Sequence, residues 1–465
     1  MEVKRQKNQV QMKLTIFEEC KGEALNSPKW VETAMVTHKT EHPAGKDIEI
    51  ESIRLMEEII DRENMLKALK RVKRNKGKPG IDGMTITELE TYLENHWEQT
   101  KQDILQGTYK PKPVKRAYID KPGKTEKRAL GIPCVIDRLI QQMISQVLQM
   151  YIDPTFSDNS YGFRPNRSAH QAISKAQEHI KSGHTWIVDM DLEKFFDRVS
   201  HDKLMGLLAK RIRDKRVLKL IRAILNSGVM EDGLVNLTIE GTPQGGPLSP
   251  LLSNVILDLL DKELENRGHK FVRYADDCNI YVKSERAGKR VLESITKYIQ
   301  KKLKLRVNQE KTAVDKVHKR KFLGFSFTTG KELKIRIASE SIKRFKSKVR
   351  EITRRKRGKS LRTIIHELSI FLRGWAGYFG HCETPSVLKL LDSWVRRRLR
   401  SYIWKQWKTI KKRRKALRKL GLIGKKLNIA SSRKGPWRIS NNKSIHIALP
   451  NRFFAIFGLY RLAPS

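Results

Sequence analysis

Two short β-prone runs on either side of an acidic turn constrain the fold of this chain more than any other feature of its sequence. The runs are 271–274 (Phe-Val-Arg-Tyr) and 279–282 (Asn-Ile-Tyr-Val), and Ala275-Asp276-Asp277-Cys278 separates them. A tight polar turn between β-prone runs predicts a β-hairpin. A further strand-like run, 187–192, carries Asp191 at its end.

Helical patterns surround these strands. Ser200 precedes one apolar-periodic run, and Ser249-Pro250 opens another, as expected of a capping residue and of proline in a first turn. Another helix is expected over 289–303, with strands near 305 and at 322–327. This order of elements predicts an α+β fold in which an antiparallel sheet is backed by helices.

The three aspartates are the candidate chemical groups. Each of Asp191, Asp276 and Asp277, taken alone, is more simply a turn residue with satisfied hydrogen bonds. Together they indicate acidic groups converging on one sheet edge, where they repel one another unless a cation lies between them. Mg²⁺ takes hard oxygen ligands, and two such ions about 3.5–4 Å apart would hold the attacking and leaving oxygens of a phosphoryl transfer.

The charge indicates what such a site would act on. The chain has 465 residues with 96 Lys and Arg against 50 Asp and Glu, a net charge of +46. Residues 341–465 hold 34 of the basic and 4 of the acidic residues, which is +30 of that total. An excess of this size favours a nucleic-acid partner over a membrane surface.

Composition also excludes several classes. No stretch approaches the ~20 apolar residues of a membrane span, so no membrane partner is expected. The four cysteines, at 20, 134, 278 and 382, are too few and too scattered for a disulfide framework or paired zinc ligands. A cytoplasmic protein is therefore expected, associated with the nucleoid when it acts on DNA.

Helical periodicity continues on both sides of the sheet region. Apolar residues recur at helical spacing over 53–72, 361–379 and 386–404, and the last two helices carry basic outer faces. The tract 411–415 (Lys-Lys-Arg-Arg-Lys) is either a domain boundary or a solvated linker. Residues 1–50 show no sustained periodicity and are interpreted as an extension.

Three motifs in order resemble those of reverse transcriptases. Tyr274-Ala275-Asp276-Asp277 is similar to the YxDD box, 188–197 (VDMDLEKFFD) to the first carboxylate motif, and 241–254 (GTPQGGPLSPLLSN) to the loop and helix between them. Further blocks resemble bacterial group II intron reverse transcriptase/maturases, and the resemblance covers about residues 53 to 460. These blocks are Arg74–Gly77 with Gly80–Gly83, Ser160–Ser168, Arg373–Phe379 and Trp404–Lys408.

The resemblance implies a right-hand polymerase followed by a helical region. Residues 1–50 are expected to form an N-terminal extension, 51–335 the fingers and palm, 336–410 the thumb or maturase domain, and 411–465 a basic DNA-binding region. Many relatives carry a further HNH-type endonuclease domain with paired cysteines. No cysteine follows Cys382, so second-strand cleavage is not expected of this chain.

The resemblance also assigns roles to metal-binding residues. Asp191 and Asp276 would be direct ligands, Asp277 a supporting carboxylate, and the Leu192 carbonyl a contributor to the nucleotide-side metal. Asp189 competes for the place of the first carboxylate. In the family motif the catalytic aspartate lies five positions before an aromatic residue, and this spacing favours Asp191, which precedes Phe196. Strand alternation alone cannot decide between Asp189 and Asp191, because both lie on the same face of the strand.

Five residues are expected at the nucleotide. Phe196 would lie beneath the incoming sugar and leave no room for a 2′-hydroxyl, with an ordinary core aromatic as the alternative. Gln244 would lie near the incoming nucleotide. Lys121 and Arg128 would grip the triphosphate, although Lys124 or Lys127 could take the place of Lys121. Lys311 would lie near the triphosphate, or else be a plain surface charge. Phe322–Phe325 (FLGF) resembles the primer-grip hairpin.

The expected function is therefore that of an RNA-directed DNA polymerase of a group II intron. Its partners would be group II intron RNA, an RNA template with a DNA primer, dNTPs and target DNA, and its cofactor would be two Mg²⁺ ions, with Mn²⁺ as a substitute. One alternative is a related reverse transcriptase recruited to host defence or repair. Another is a splicing cofactor that only binds RNA, which the intact aspartates disfavour.

Overall fold

A four-stranded sheet at the centre of the chain carries the acidic turn. The computed structural model describes residues 54–120, 127–231, 234–236, 240–242, 245–330 and 332–463, so the expected N-terminal extension lies outside the described residues. Its strands lie in the order β6 (Lys270–Tyr274), β7 (Asp277–Val282), β3 (Trp186–Met190) and β8 (Ala313–Lys316), and every neighbouring pair is antiparallel. The predicted hairpin is confirmed, because β6 and β7 pair from Lys270 opposite Tyr281 to Tyr274 opposite Asp277.

The remaining strands form two smaller sheets. One has the order β2-β1-β4-β5, with β1 antiparallel to β2 and parallel to β4, and the other pairs β9 with β10. The bounds are β1 (Val114–Asp120), β2 (Lys127–Ile132), β3 (Trp186–Met190), β4 (Val229–Glu231), β5 (Leu234–Asn236), β6 (Lys270–Tyr274), β7 (Asp277–Val282), β8 (Ala313–Lys316), β9 (Phe325–Phe327) and β10 (Ile335–Ile337).

Helices occupy most of the remaining described sequence. They are α1 (Leu55–Ile60), α2 (Arg62–Asn75), α3 (Leu89–Gln106), α4 (Val135–Ile152), α5 (Ala169–Lys181), α6 (His201–Ala209), α7 (Lys215–Leu225), α8 (Ser249–Asn266), α9 (Glu285–Tyr298), α10 (Ser339–Ile352), α11 (Leu361–Phe379), α12 (Pro385–Gln406), α13 (Ile410–Lys419), α14 (Pro436–Ile439), α15 (Lys443–Ala448) and α16 (Asn451–Ile456). None of them is long and apolar enough to cross a membrane.

Side-chain caps explain where several helices begin. The Ser200 hydroxyl accepts a hydrogen bond from the Lys203 backbone, which confirms the predicted start of α6. Helix α8 starts at Ser249 with proline in its first turn, also as predicted. The run 53–72 is two helices rather than one. Asp61 has an extended backbone, and its carboxylate accepts from the backbone N–H groups of Glu63 and Asn64 at the start of α2.

Two other local expectations need correction. The strand expected near residue 305 is reduced to a single antiparallel bridge between Val307 and Leu192: Leu305 closes the π-helical turn that follows α9, and the next strand is β8. Leu305 is apolar because it is buried in the core and not because it pairs with another strand. The tract 411–415 lies inside helix α13, which Thr409 caps through the backbone of Lys412, so it is not an irregular linker.

The central sheet separates two hydrophobic cores. Along β3, Val188 faces the first core and Ile187 the second, and along β7 Ile280 and Tyr281 divide in the same way. The first core contains α1–α4 and α6–α9. The second contains α5, the β9–β10 pair and the helices from α10 onward. The sheet is therefore buried on both faces, and its acidic edge is held between two packed layers.

The C-terminal segment belongs to the second core. The Asp392 carboxylate on α12 accepts hydrogen bonds from the backbone N–H groups of Leu462, at 3.0 Å, and Ala463, at 3.1 Å. Arg400, also on α12, donates to the Leu449 carbonyl at 2.9 Å. Residues 411–463 thus fold back onto α11 and α12.

A buried arginine fixes the hairpin that carries the acidic turn. The Arg273 side chain is fully buried, and its guanidinium donates through Nε and Nη2 to the two carboxylate oxygens of Asp261 at 2.7 and 2.6 Å. Nη1 donates to the Asn254 amide oxygen at 3.0 Å and to the Ala275 carbonyl at 2.8 Å, and Nη2 also to the Ser160 hydroxyl at 2.7 Å. One side chain therefore joins α8, the loop at residue 160 and the acidic turn.

Replacing Arg273 by methionine should destabilise the protein by about 3–5 kcal/mol, because it leaves the Asp261 carboxylate buried without its partner. Chemical denaturation of the full chain, followed by circular dichroism, would measure the loss. The control is Arg273→Met with Asp261→Leu, which removes both charges and should recover much of the stability. An Arg273→Met protein that unfolds at the wild-type denaturant concentration would contradict the role assigned to this network.

Candidate active site

The structure brings the predicted carboxylates to one edge of the central sheet. Met190, the last residue of β3, pairs with Cys278 of β7. Asp191 follows Met190 in the chain, and Asp277 precedes Cys278. Asp276 immediately precedes Asp277 in the turn, where Ala275 has a left-handed backbone with φ of 57°. The ends of two adjacent antiparallel strands therefore place Asp191, Asp276 and Asp277 together, although 85 residues (276 − 191) separate the first two in the chain.

The acidic turn is electrostatically strained. Burial and the negative charge of Asp191 raise the pKa of Asp276, while Arg128 and Lys311 oppose the rise. Asp277 reaches solvent at the rim, but the protein atoms crowded around it, together with Asp276, Asp189 and Asp191, raise its pKa to about 7. Crowded carboxylates whose ionised forms are destabilised, and whose ligand atoms are hard oxygens, fit a divalent cation.

Asp189 and Asp191, the two candidates for the first carboxylate of the motif, each form an ion pair with a different basic side chain. Arg320 donates from Nε at 2.9 Å and from Nη2 at 2.6 Å to the same oxygen of Asp189. Lys311 donates from Nζ to Asp191 Oδ2 at 2.7 Å. Within the described ranges, no three His, Cys, Asp or Glu side chains are gathered closely enough to hold a metal as they stand.

Phe196 lies where the first carboxylate motif meets the glycine-rich loop. It is half-buried in the 3₁₀ turn Phe195–Asp197, edge-on to Phe195 with 5.2 Å between ring centroids. Its carbonyl accepts from the Thr242 backbone at 2.6 Å. The Leu192 side chain is buried, and its backbone forms a bridge with Val307.

The glycine-rich loop also approaches the β1–β2 hairpin. A Cβ atom on Gly245, whose φ is 127°, would lie 2.7 Å from the Gly131 carbonyl of β2. Arg128 on the same strand is exposed and close enough to the turn to lower the pKa of Asp276. Lys121 and Gln244, predicted to contact the nucleotide, lie outside the described residues.

An open trough of about 920 Å³ leads away from the acidic edge. Asp189, Asp191, Asp277 and the segment Phe322–Gly324 are among the residues that line it. Phe322 and Phe325 exchange two backbone hydrogen bonds of 2.9 Å across the tight turn at Leu323 and Gly324, where both φ angles are positive. Lys319, Arg336 and Arg344 also line the trough, so acidic and basic side chains share one open cavity.

The comparisons with known proteins agree with this geometry. Residues 119–327 match the family described as reverse transcriptase (RNA-dependent DNA polymerase), and residues 342–421 match the group II intron, maturase-specific domain. Protein YkfC of Escherichia coli (strain K12) is 32% identical over 278 residues, covering 52% of this chain and 73% of YkfC. The chain belongs to the group II intron reverse transcriptase/maturase family.

The next relatives match this chain over a smaller part of their own length. Group II intron-encoded protein LtrA of Lactococcus lactis subsp. cremoris is 38% identical over 199 residues, which are 43% of this chain and 33% of LtrA. Among solved structures, a partial Cas6-RT-Cas1--Cas2 complex matches with a TM-score of 0.35 at 24% identity, covering 53% of this chain and 42% of that chain; so low a likeness adds nothing to the assignment.

Family membership confirms the predicted fold class and enzyme class, and it agrees in general terms with the expected need for divalent metal ions. The fold is α+β, with a reverse transcriptase region followed by a helical maturase region. The enzyme class is RNA-directed DNA polymerase. Reverse transcriptases act with divalent metal ions, which agrees with the chemistry of the acidic edge.

Sequence reasoning missed the residues that support this reverse transcriptase site. Arg273 stands as a charged residue inside an apolar strand, a signal that it needs buried partners. Arg320 lies in the basic run Lys319–Lys321, which gives no such signal. Gly162 belongs to a recognised block, but its role becomes visible only from its contact: a Cβ atom there would lie 2.2 Å from the Ala275 backbone nitrogen.

Replacing Gly162 by alanine should displace the acidic turn and lower primer extension on an RNA template by about a hundredfold, because small shifts of catalytic groups are costly. The matched control is Gly206→Ala on α6, since a Cβ atom at Gly206 meets nothing within 4 Å. That control should retain full activity and gain up to about 1 kcal/mol of helix stability. Equal activity of the two variants would show that the turn does not depend on Gly162.

Proposed function

We propose that this chain extends a DNA primer on an RNA template, with Asp191, Asp276 and Asp277 as its catalytic carboxylates, and that it binds group II intron RNA to assist splicing and mobility. One observation carries the proposal. Strands β3 and β7 bring the three aspartates to one sheet edge, where Asp191 and Asp277 line an open trough together with basic side chains. The family match to residues 119–327 and 342–421 supports it.

The carboxylates would act by holding metal. Asp191 and Asp276 would be direct ligands with the Leu192 carbonyl beside them, and Asp277 would support them from β7. Two bound Mg²⁺ ions, or Mn²⁺ in their place, would neutralise charge on the attacking and leaving oxygens of the phosphoryl transfer. Asp276 and Asp277 are suited to this role because, among the described residues, no Lys or Arg forms an ion pair with either.

The incoming dNTP would be held by residues of the fingers and of the palm. Arg128 would bind the triphosphate through its guanidinium, whose N–H groups match phosphate oxygens in pairs. Lys311 would face it from the opposite side, Phe196 would exclude a 2′-hydroxyl, and Lys121 and Gln244 would complete the nucleotide contacts. The proximity of Arg128 to Asp276 supports the assignment of Arg128 to the residues that bind the dNTP.

The basic C-terminal part would hold the nucleic acids. We assign residues 51–335 to fingers and palm, 336–410 to the thumb, and 411–465 to target-DNA binding. The net charge of +30 on residues 341–465 supports phosphate contacts that do not depend on sequence. The packing of residues 411–463 on α11 and α12 supports a target-DNA region that is continuous with the thumb.

Substituting Asp276→Asn together with Asp277→Asn should abolish cDNA synthesis, because the neutral amides no longer balance the charge of a divalent cation. Binding of labelled intron RNA, measured by filter retention, should remain unchanged, since those contacts lie on other surfaces. The control is Asp202→Asn, an exposed aspartate paired with Arg222, which should leave both activities intact. Continued polymerisation by the double variant would refute the carboxylate assignment.

Replacing Phe196 by alanine should relax sugar selection. Removal of the ring opens space for a 2′-hydroxyl, so the ratio of kcat/KM for dNTP over rNTP should fall at least about tenfold, mainly through gain of rNTP use. Single-nucleotide extension with matched dATP and ATP would measure it. An unchanged ratio, with activity retained, would identify Phe196 as an ordinary core residue.

A further inference from the structure

Arg320 joins two parts of the site that no sequence motif connects. Its guanidinium donates to Asp189 Oδ2 from Nε and Nη2, and the same Nη2 also donates to the backbone carbonyl of Lys311 at 2.8 Å. The arginine therefore binds a carboxylate on β3 and, at the same time, the main chain of the lysine whose ammonium group contacts Asp191.

Lys311 stands on a short turn that is tied to Asp191 itself. The Asn308 backbone N–H donates to the Asp191 carbonyl at 2.8 Å, and the Asp191 N–H donates to the Thr312 hydroxyl at 3.1 Å. Within the turn, the Asn308 side-chain oxygen accepts from the backbone N–H groups of Glu310 and Lys311. The bonds to Asp191 fix the ends of the turn, whereas Arg320 holds Lys311 directly.

The geometry points to Arg320 as a positioning residue. Anchored on Asp189, it holds the main chain at Lys311 so that the ammonium group is presented to Asp191 and to the proposed triphosphate site. Asp189 then serves as the anchor of Arg320 and is not a metal ligand, which settles the choice between the two aspartates of the motif. This inference rests on the proposed function of Asp191.

The alternative is an ion pair that only stabilises the edge of the sheet. The side chains of Asp189 and Arg320 are 25% and 28% exposed, and ion pairs with that access to solvent contribute little to stability. The guanidinium reaches both acceptors from two nitrogens held in one rigid plane, whereas a lysine would offer a single nitrogen on a flexible stem. A structural role predicts a small change in unfolding, and a positioning role predicts a change in Lys311.

The experiment compares Arg320→Gln, Arg320→Lys and Asp189→Asn with a matched control, Arg198→Gln. Arg198 makes a similar ion pair with Glu193 at 2.9 Å, with side chains 27% and 38% exposed, and does not touch the Lys311 turn. In single-nucleotide addition on a primed RNA template, all three variants should lose about 10- to 100-fold in kcat, while the control keeps wild-type activity. Because Lys311 is the affected group, adding Arg320→Gln to Lys311→Ala should cause no further loss.

Two measurements do not depend on activity. Acetylation of Lys311, followed by mass spectrometry, should be faster in Arg320→Gln than in the wild type and unchanged in Arg198→Gln. Binding of Mn²⁺, followed by electron paramagnetic resonance, should survive in Asp189→Asn and weaken in Asp191→Asn. These results would support the inference even if the wild type failed to copy RNA, an outcome that would overturn the proposed function alone.

Three results would overturn the inference itself. Loss of Mn²⁺ binding in Asp189→Asn to the same degree as in Asp191→Asn would make Asp189 a ligand. A multiplicative loss in the Lys311→Ala, Arg320→Gln double variant would mean that Arg320 acts independently of Lys311. Unchanged kcat and unchanged Lys311 acetylation in Arg320→Gln would leave the ion pair with a structural role only.

Discussion

The active edge of this protein depends on one buried charge. A guanidinium removed from water is tolerated only when its N–H groups are paired, and Arg273 satisfies that condition through a carboxylate, an amide, a hydroxyl and a main-chain carbonyl. The carbonyl belongs to Ala275, so the same network that neutralises the arginine also fixes the acidic turn. The position of Asp276 is thus set by the packing and hydrogen bonds of the buried Arg273 network.

The sheet order extends this rigidity to the other carboxylate. Because β7 lies between β6 and β3, the turn held by Arg273 is directly beside the end of β3, where Asp191 follows. Both sheet faces are covered, one by α8 and α9 and the other by the layer that includes α5 and the helices from α10 onward. The helices of the maturase-specific region therefore share a core with one face of the sheet that carries the carboxylates.

Local features of the fold were predictable from the sequence, and contacts between distant segments were not. The hairpin at 270–282 and the start of α6 depend on neighbouring residues, and both predictions are confirmed. The strand expected near residue 305 is reduced to one bridge at Val307, because burial of Leu305 alone produces the same apolar pattern as strand pairing. Asp189 and Asp191 occupy the same face of β3, so only their partners, 131 and 120 residues away, distinguish them. Gly162 likewise acquires its meaning from a turn 113 residues further along (275 − 162).

Basic side chains pair with only some of the aspartates at the acidic edge, although the chain has a net charge of +46. Cations this abundant could pair with every carboxylate of the site, yet Lys311 and Arg320 contact the two aspartates of β3, whereas Asp276 and Asp277 form no ion pair within the described residues. Burial and mutual repulsion raise the pKa of both turn aspartates, so their ionised forms lack compensation from the protein. A divalent cation would supply that compensation at the point where the trough begins. The positive excess of this chain therefore lies mainly in residues 341–465, and within the described residues it does not compensate the acidic turn through ion pairs.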